Sequence, residues 1–227
     1  METLSVKVGN IHIGGGHPIV VQTMCNTHTS DVDASVAQCI RLYEAEAQLI
    51  RLTVPSLGQV ENLRQIKAEL HAEGIDTPLV ADVHFSSEIA IAAAAVVEKV
   101  RINPGNYRTS NGELEALIAQ CRERGVALRI GVNHGSLAKR IFDEWGDTPE
   151  GMVVSAMEFL RVCRSEGFGQ VVVSMKSSNT RVMVYAYRLL VAAMREEAMD
   201  FPIHLGVTEA GDGTEGRVKS AVGIGAL

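Results

Sequence analysis

The chain has 227 residues and a mass of 24.4 kDa, which suits one α/β barrel or two small domains. Hydrophobic residues make up 46% and charged residues 21%, which excludes a wholly disordered or low-complexity chain. The net charge of −6 gives no basic excess, so we expect no nucleic-acid partner. Aromatic residues are only 4%, and such an aliphatic core suits a parallel sheet covered by helices.

The four cysteines lie far apart in the sequence, and no two of them have CxxC spacing. This spacing argues against a disulfide scaffold and against a metal or iron–sulfur site built from this chain alone. The N-terminal residues show no signal peptide. The longest apolar stretch, Ile89–Val97, is far below the roughly 20 residues of a membrane span. We therefore expect a cytoplasmic protein without membrane contact.

The first predicted element is a short β-hairpin, because residues 5–8 and 11–13 alternate apolar and polar around Gly9-Asn10. One unit then recurs, in which a short apolar run precedes an amphipathic helix. The predicted strands are Ile19–Thr23, Leu49–Val54, Pro78–Val83, Val100–Asn103, Ala127–Val132, Gln170–Ser174 and Pro202–Val207. The predicted helices are Asp31–Ala47, Leu57–Glu73, Ser86–Glu98, Gly112–Arg124, Thr148–Ser165, Thr180–Met199 and Glu215–Ile224, with cap residues at Asp31 and Ser86.

Strict alternation of strands and helices predicts a parallel sheet. The regular spacing and the absence of a GxGxxG turn favour a TIM-type (β/α) barrel over an open doubly wound sheet. About seven β-α units are visible where a barrel has eight, so we treat residues 1–227 as a single barrel domain whose eighth strand is missing. We expect a gap between Ile19–Thr23 and Pro202–Val207, with self-association, such as a homodimer, or low stability as the consequence.

Basic side chains stand inside or at the ends of four predicted strands. They are Arg51, Arg101, Arg129 and Lys176. Because side chains alternate between the two faces of a strand, Arg101 shares a face with Asn103, and Arg129 shares a face with Asn133. The aliphatic neighbours then point to the helices, and the cations point into the barrel near its C-terminal mouth.

Buried unpaired cations cost several kcal/mol each, so this arrangement needs an explanation. In one explanation each cation pairs with a carboxylate such as Asp82 or Glu209. We favour a bound polyanion, because acids at strand ends are too few to neutralise the set. Arginine offers a planar fork matched to phosphate oxygens, and several cations around one mouth suit a diphosphate better than a monophosphate.

Other polar residues at strand ends fit the same site. Asp82 and His84 share a face after the third strand, and Thr208 and Glu209 follow the seventh. A carboxylate beside a bound diphosphate has a raised pKa and could act as a general acid. The alternatives are a hydrogen-bonded barrel histidine for His84 and a cation partner for Glu209. Cys25, just past the first strand, is interpreted as a small buried residue.

Five sequence blocks resemble one enzyme family. They are Val20–Thr27, Pro78–Phe85, Val100–Asn106, Arg129–Asn133 and His204–Gly211. In this order, over nearly the whole chain, they resemble the 4-hydroxy-3-methylbut-2-enyl diphosphate synthases, iron–sulfur oxidoreductases of the non-mevalonate pathway of isoprenoid (terpenoid) biosynthesis. The blocks at Val100–Asn106 and His204–Gly211 are the most specific.

The resemblance implies a TIM barrel that binds 2-C-methyl-D-erythritol 2,4-cyclodiphosphate. The family opens this ring reductively, with two electrons from ferredoxin or flavodoxin. The resemblance further implies that the diphosphate is held by Arg51, Arg101, Asn103, Arg129, Asn133 and Lys176. Thr208 and Glu209 would lie against the substrate, with Glu209 as the catalytic proton donor, and Asp82 and His84 are second-tier candidates.

The chain also departs from the family. The family holds a 4Fe–4S cluster with three cysteines and a glutamate of a C-terminal domain, and none of the four cysteines here matches those ligands. We therefore expect no cofactor in this chain and no activity from it alone. Whether the parent protein has an extra inserted domain stays open. The alternatives are a pterin-binding barrel such as a dihydropteroate-synthase-like enzyme and a stand-alone phosphometabolite binder.

Overall fold

Six parallel strands and the helices between them form a curved sheet in the computed structural model, which describes residues 2–107 and 112–227. The strands are β1 (Ser5–Val8), β2 (Ile11–Gly14), β3 (Gln22–Met24), β4 (Leu49–Thr53), β5 (Leu79–Asp82), β6 (Lys99–Ile102), β7 (Ala127–Asn133) and β8 (Val171–Lys176). The sheet order is β3-β4-β5-β6-β7-β8, each neighbour parallel. Sequential parallel pairing confirms the predicted barrel-type α/β fold, here as a half-closed barrel.

Six of the described helices lie between consecutive strands of the large sheet, and the last two follow β8. The helices are α1 (Val32–Glu44), α2 (Leu57–Ala72), α3 (Ser87–Ala94), α4 (Glu113–Arg124), α5 (Lys139–Trp145), α6 (Pro149–Ser165), α7 (Thr180–Glu196) and α8 (Gly213–Gly225). The predicted caps are confirmed, since Asp31 accepts a hydrogen bond from the Ala34 N–H and Ser86 accepts one from the Ile89 N–H. In the described ranges, no helix has the length and apolar character needed to cross a membrane.

The predicted hairpin is confirmed and covers the N-terminal end of the barrel. β1 and β2 pair antiparallel, and their buried Val6 and Val8 pack against inward-facing apolar side chains of the large sheet. Those side chains are Leu49, Val80, Ala127 and Val172. The barrel interior next to the hairpin is therefore mostly apolar, although the inward-facing Lys99 lies in register with Val80 and Ala127.

Alternation along β7 illustrates how the strands divide their side chains. Leu128 and Ile130 are fully buried and belong to the main aliphatic core, which includes the helices. Arg129 lies between them, so its side chain points to the opposite face and into the barrel. One strand thus supports the core with one face and carries a cation on the other.

The prediction of a seventh strand over Pro202–Val207 is wrong. This segment makes a single parallel bridge, between Ile203 and Val173, with two backbone hydrogen bonds: Val173 N–H to the Pro202 carbonyl and His204 N–H to the Val173 carbonyl. Among the described strands only β8 lies beside this segment, so the segment has no strand on its other side with which to form further backbone hydrogen bonds. Helix α5 is also absent from the predicted elements.

A gap separates β3 from the segment 202–207, as the sequence predicts. Within the described ranges, no backbone hydrogen bond connects the two. A cavity of about 580 Å³ lies between them and is lined by both segments and by Ile224 of α8. Beside it Ile19 is 94% exposed and Val21 is 59% exposed. Exposed apolar residues next to an unpaired strand edge are consistent with the expected self-association, which stays a prediction.

Helix α7 ends on a left-handed residue that is not glycine. Ala198 has φ of 53°, and the Met199 N–H donates to the Met194 carbonyl at 2.7 Å, the hydrogen bond of a Schellman motif. Helix α6 ends in the same motif with Gly167, whose φ is 62°. A left-handed backbone strains a residue with a Cβ, so Ala198 carries strain that Gly167 does not.

We expect Ala198→Gly to raise the free energy of unfolding by about 0.5–1 kcal/mol and Gly167→Ala to lower it by about 1 kcal/mol. A Cβ added at Gly167 meets no atom within 4 Å, so only backbone strain opposes the second change. Urea denaturation of both variants measures the two effects. Shifts of the same sign in both variants would contradict this explanation.

Candidate functional site

Five basic side chains from four strands point into the barrel. This cation cluster comprises Arg51 of β4, Lys99 and Arg101 of β6, Arg129 of β7 and Lys176 of β8. Arg101 and Arg129 are direct neighbours in the β6–β7 register. The sequence analysis did not include Lys99, although its position two residues before Arg101 puts both on one face of β6. The four predicted cations are thus brought together, with a fifth beneath them.

Asp82 of β5 is the carboxylate of the cluster. Its Oδ1 lies 2.8 Å from Arg101 Nη1, and its Oδ2 lies 3.4 Å from Arg51 Nε. His84 Nε2 approaches Oδ1 at 3.4 Å. Burial alone would raise the pKa of Asp82, but the His84 contact and the charges of Arg101 and Arg51 outweigh it and hold the pKa well below its usual range. The carboxylate is therefore ionised. For Arg51 and Arg101, the explanation that a cation pairs with a carboxylate is thus correct.

Arg129 has no carboxylate partner among the residues that the structure describes. Its side chain is fully buried, and its Nε donates to Ser174 Oγ at 3.1 Å. Within the described ranges its Nη1 has no hydrogen-bond partner, and neither has the buried Nε of Arg101. Burial lowers the pKa of Arg129, and the charges of Arg51 and Arg101 lower it further. A buried donor without an acceptor costs about 1–3 kcal/mol, so two such donors side by side indicate a site for an anionic acceptor.

Two lysines complete the cluster without ion pairs. The Lys176 Nζ makes no hydrogen bond to any residue that the structure describes, and burial, Arg129 and Arg51 lower the pKa of this side chain to about 6. Lys99 is fully buried, and its Nζ donates to Gln22 Oε1 at 2.8 Å. Burial holds the pKa of Lys99 well below its usual value. Three guanidiniums opposite one carboxylate leave two excess positive charges even when both lysines are neutral.

Gly131 of β7 lies directly beneath two guanidinium groups. A Cβ added there would lie 2.6 Å from Arg101 Nε and 3.2 Å from Arg129 Nη2. The Arg101 Nη2 also donates to the Gly131 carbonyl at 3.0 Å. Because Arg101 is held by Asp82, its guanidinium has little room to move away. Only glycine leaves space for both cations at this position.

We expect Gly131→Ala to weaken binding of inorganic pyrophosphate by about tenfold to 100-fold, because the added methyl group displaces the Arg101 and Arg129 guanidiniums from each other. Titration calorimetry measures the affinity. Gly58→Ala on α2 serves as the control for adding a methyl group, because its backbone is helical and its Cβ would meet only Ser56 Oγ within 4 Å, at an ordinary contact distance of 3.9 Å. Equal affinity for wild type and Gly131→Ala would contradict the prediction.

The two predicted asparagines differ in their surroundings. Asn103 is 2% exposed, its Nδ2 donates to Ser136 Oγ at 2.9 Å and its Oδ1 accepts the Gly105 N–H at 3.1 Å. Both ends of its amide thus hold loops together. Asn133, at the end of β7, accepts from Arg101 Nη2 at 3.3 Å when its amide oxygen faces that cation. Asn133 therefore contacts the cation cluster through Arg101, whereas Asn103 holds the adjoining loops together.

The remaining predicted residues lie at the edge of the site. Thr208 and Glu209 form the turn before α8, where Glu209 is exposed with φ of 49° and makes no hydrogen bond or ion pair with the described residues. The structure therefore does not bring Glu209 to the cations. His204 was not predicted, and it lines the gap cavity near Lys176. Burial, Arg129 and Lys176 hold the pKa of His204 well below its usual value, so it is neutral.

The cysteines do not fit a 4Fe–4S cluster. Cys25 and Cys39 have their sulfurs 3.6 Å apart, whereas Cys121 lies on α4 and Cys163 on α6. Among the residues with described coordinates, no group of three or more His, Cys, Asp or Glu side chains could hold a metal ion. An iron–sulfur cluster needs ligands around one point, and these residues do not supply them.

A family model described as the GcpE TIM-barrel domain matches residues 3–227. The chain belongs to this family. One relative is the 4-hydroxy-3-methylbut-2-en-1-yl diphosphate synthase (flavodoxin) of Leptospira interrogans, 49% identical over 100% of this chain and 37% of the relative. Another is the synthase (ferredoxin) of Picosynechococcus sp., 48% identical over 100% of this chain and 61% of the relative. The predicted family is confirmed, and this GcpE barrel spans only part of the length of these relatives.

Solved structures with similar folds have much lower sequence identity. A dihydropteroate synthase of Burkholderia cenocepacia, complexed with 7,8-dihydropteroate, superposes with a TM-score of 0.64 at 15% identity, covering 100% of this chain and 86% of that one. A type I 3-dehydroquinate dehydratase of Clostridium difficile has a TM-score of 0.61 at 15% identity, covering 97% and 84%. At this identity the likeness shows the barrel fold alone.

Proposed function

We propose that this GcpE barrel binds 2-C-methyl-D-erythritol 2,4-cyclodiphosphate in the cation cluster. We further propose that it is the substrate-binding part of an oxidoreductase that opens the ring to 4-hydroxy-3-methylbut-2-enyl diphosphate. The observation that carries the proposal is the excess of buried positive charge with unpartnered N–H donors on Arg101 and Arg129. The names of the relatives, at about half identity, support this substrate over a pterin.

The charge of the cluster supports a diphosphate. With both lysines neutral, the cluster carries two excess positive charges, and a cyclic diphosphate carries one negative charge on each phosphate. Arginine forks bind phosphate oxygens through two parallel N–H groups, which gives orientation as well as affinity. Arg129 and Arg101 would bind one phosphate from below, and Arg51 and Lys176 would flank the other.

The roles of the edge residues follow from this placement. Asn133 would donate to or accept from the ligand beside Arg101, while Asn103 would position the loop behind it. Thr208 and Glu209 would approach the substrate when the turn before α8 closes over the mouth, and Glu209 would donate the proton to the departing water. Asp82 and His84 would orient Arg51 and Arg101. Glu209 makes no hydrogen bond or ion pair with the described residues that would have to break before this movement.

The reductive step needs electrons that this chain does not carry. We propose that a 4Fe–4S cluster outside these residues delivers two electrons from flavodoxin or ferredoxin, the donors in the names of the relatives. No step through the cluster is assigned to the residues of this chain, because their cysteines do not fit its ligation. The contribution of the barrel is to bind and orient the diphosphate and to provide the proton.

Titration calorimetry of the 227-residue chain tests the binding proposal. We expect the cyclic diphosphate to bind at least about tenfold more tightly than a dihydropterin diphosphate, because the cation cluster itself contains no aromatic side chain on which a pterin ring could stack. Glu209→Gln should keep the affinity within about twofold, since a proton donor acts in the transition state. Preference for the pterin ligand would overturn the proposal and favour the dihydropteroate-synthase-like alternative.

A further inference from the structure

Two cysteines outside the cation cluster lie in contact with each other. Cys25 follows β3 directly, and Cys39 lies in the middle of α1. Their Sγ atoms are 3.6 Å apart, and both side chains are buried, with 5% and 0% exposure. A disulfide has an S–S distance of about 2.05 Å, so closing this pair needs a movement of roughly 1.5 Å. The two cysteines are 14 positions apart in sequence, enough chain for such an adjustment.

The two thiols are not equivalent. Either thiol can donate in the hydrogen bond between the two sulfurs, and donation from Cys39 stabilises the Cys25 thiolate, which lowers the pKa of Cys25 despite the opposing effect of burial. The charge of Arg41 acts in the same direction. The same hydrogen bond and burial raise the pKa of Cys39. Cys25 is therefore the sulfur that forms the thiolate, and Cys39 is the sulfur that stays protonated beside it.

We propose that Cys25 and Cys39 form a dithiol that a small peroxide oxidises to an intramolecular disulfide. The Cys25 thiolate attacks one oxygen of hydrogen peroxide, the O–O bond breaks, and Cys25 becomes a sulfenic acid while hydroxide leaves. The Cys39 sulfur then attacks the sulfenic sulfur, and the S–O bond breaks. The protons of the two thiols end on the two oxygens, so two thiols and one peroxide give one disulfide and two waters.

The surroundings select a small oxidant. Cys25 is only 5% exposed, so a bulky disulfide such as glutathione disulfide cannot approach its sulfur in line. The Cys25 N–H donates to the Arg51 carbonyl at 2.9 Å, which fixes the backbone at the end of β3. The pair uses no group of the cation cluster, so this site does not depend on the proposed function.

The other two cysteines provide the matched comparison. Cys121 and Cys163 are fully buried, and burial raises the pKa of each to about 12. Neither receives a thiol hydrogen bond that would stabilise its thiolate. We expect the Cys25 and Cys39 thiols of the folded chain to be lost at least about tenfold faster than those of Cys121 and Cys163 under hydrogen peroxide.

Peptide mass spectrometry of the folded, peroxide-treated chain tests the proposal. The expected result is a crosslinked pair of peptides containing Cys25 and Cys39, with a mass about 2 Da below the sum of the reduced peptides. Cys39→Ala should give no crosslink and should form a sulfenic acid on Cys25 more slowly than wild type is oxidised, because the hydrogen bond from Cys39 is lost; the sulfenic acid is trapped by the diketone dimedone when the chain is unfolded. Cys121→Ala should crosslink like wild type. Glutathione disulfide should give no mixed disulfide with the folded chain.

Two results would overturn the proposal. One is oxidation of all four cysteines at similar rates in wild-type chain whose circular dichroism shows it folded. The other is a wild-type crosslink that does not join Cys25 to Cys39. Both are read from the unaltered chain, so a variant that fails to fold cannot obscure the outcome. Ready reaction with glutathione disulfide would overturn the selection of a small oxidant.

Discussion

Arg129→Met is expected to weaken binding of the cyclic diphosphate by about 100-fold or more and to make the ligand-free barrel more stable. The Arg129 side chain is fully buried. Among the described residues its guanidinium makes one hydrogen bond, to Ser174, and its Nη1 has no partner. Methionine fills a similar volume and removes a desolvated charge that is repelled by Arg51 and Arg101. Replacing poorly paired buried charges by apolar groups stabilises proteins by about 1–4 kcal/mol.

The affinity of Arg129→Met for the ligand is measured by calorimetry, and its stability is measured separately by urea denaturation without ligand. Arg140→Met is the control, because Arg140 is an exposed cation that pairs with Glu158 on the surface. Removing it should change the unfolding free energy by at most about 1 kcal/mol and leave the affinity unchanged. A destabilised Arg129→Met variant with intact affinity would show that Arg129 supports the fold instead of the ligand.

The side chains that face the barrel interior could be predicted from sequence, because side chains alternate between the two faces of a strand every second residue. Alternation of side chains along a strand places Arg101 and Arg129 on the inner face without knowledge of their neighbours. The register between strands is not local, so the sequence did not reveal that Asp82 pairs with Arg101 and Arg51 and leaves Arg129 alone.

Lys99 was overlooked for a related reason. The predicted helix ends at Glu98 and the predicted strand begins at Val100, so Lys99 lies between the two predicted elements. In the structure β6 begins at Lys99, and the lysine points inward towards Gln22. Strand boundaries are set by pairing with neighbouring strands, which a single sequence does not contain. In the Pro202–Val207 segment the sequence pattern instead predicts a strand that the structure lacks. Its apolar pattern suits a strand, but among the described strands only β8 is available to pair with it.

Sequence motifs also combine ligand-binding and structural residues without distinguishing them. The block Val100–Asn106 contains Arg101, which points into the site, and Gly105, where a Cβ would lie 1.5 Å from the Ser136 carbonyl oxygen. The glycine allows two loops to touch, and Asn103 connects the same loops by hydrogen bonds. Such residues are distinguished only by their contacts, so the predicted ligand role of Asn103 stays a proposal.

Binding of the cyclic diphosphate is expected to weaken as the pH rises above about 6, by up to tenfold per pH unit. Burial and the neighbouring arginines lower the pKa of Lys176 to about 6 in the free chain, so the lysine is neutral above that pH. A bound dianion raises this pKa again, because it stabilises the charged form. Binding above about pH 6 therefore takes up a proton, and the affinity falls with rising pH until the pKa of the complex is reached.

Calorimetry in two buffers of different ionisation enthalpy measures this proton uptake, which we expect to approach one proton at about pH 7.5. The cyclic diphosphate suits the test because neither of its phosphates titrates in this range. Lys176→Arg should bind without proton uptake and with an affinity that is nearly constant between about pH 6 and 8, because arginine keeps its charge. Lys99 and His204 also lie near Lys176 with lowered pKa values. Undiminished proton uptake by Lys176→Arg would therefore assign the proton to one of them and contradict the role given to Lys176.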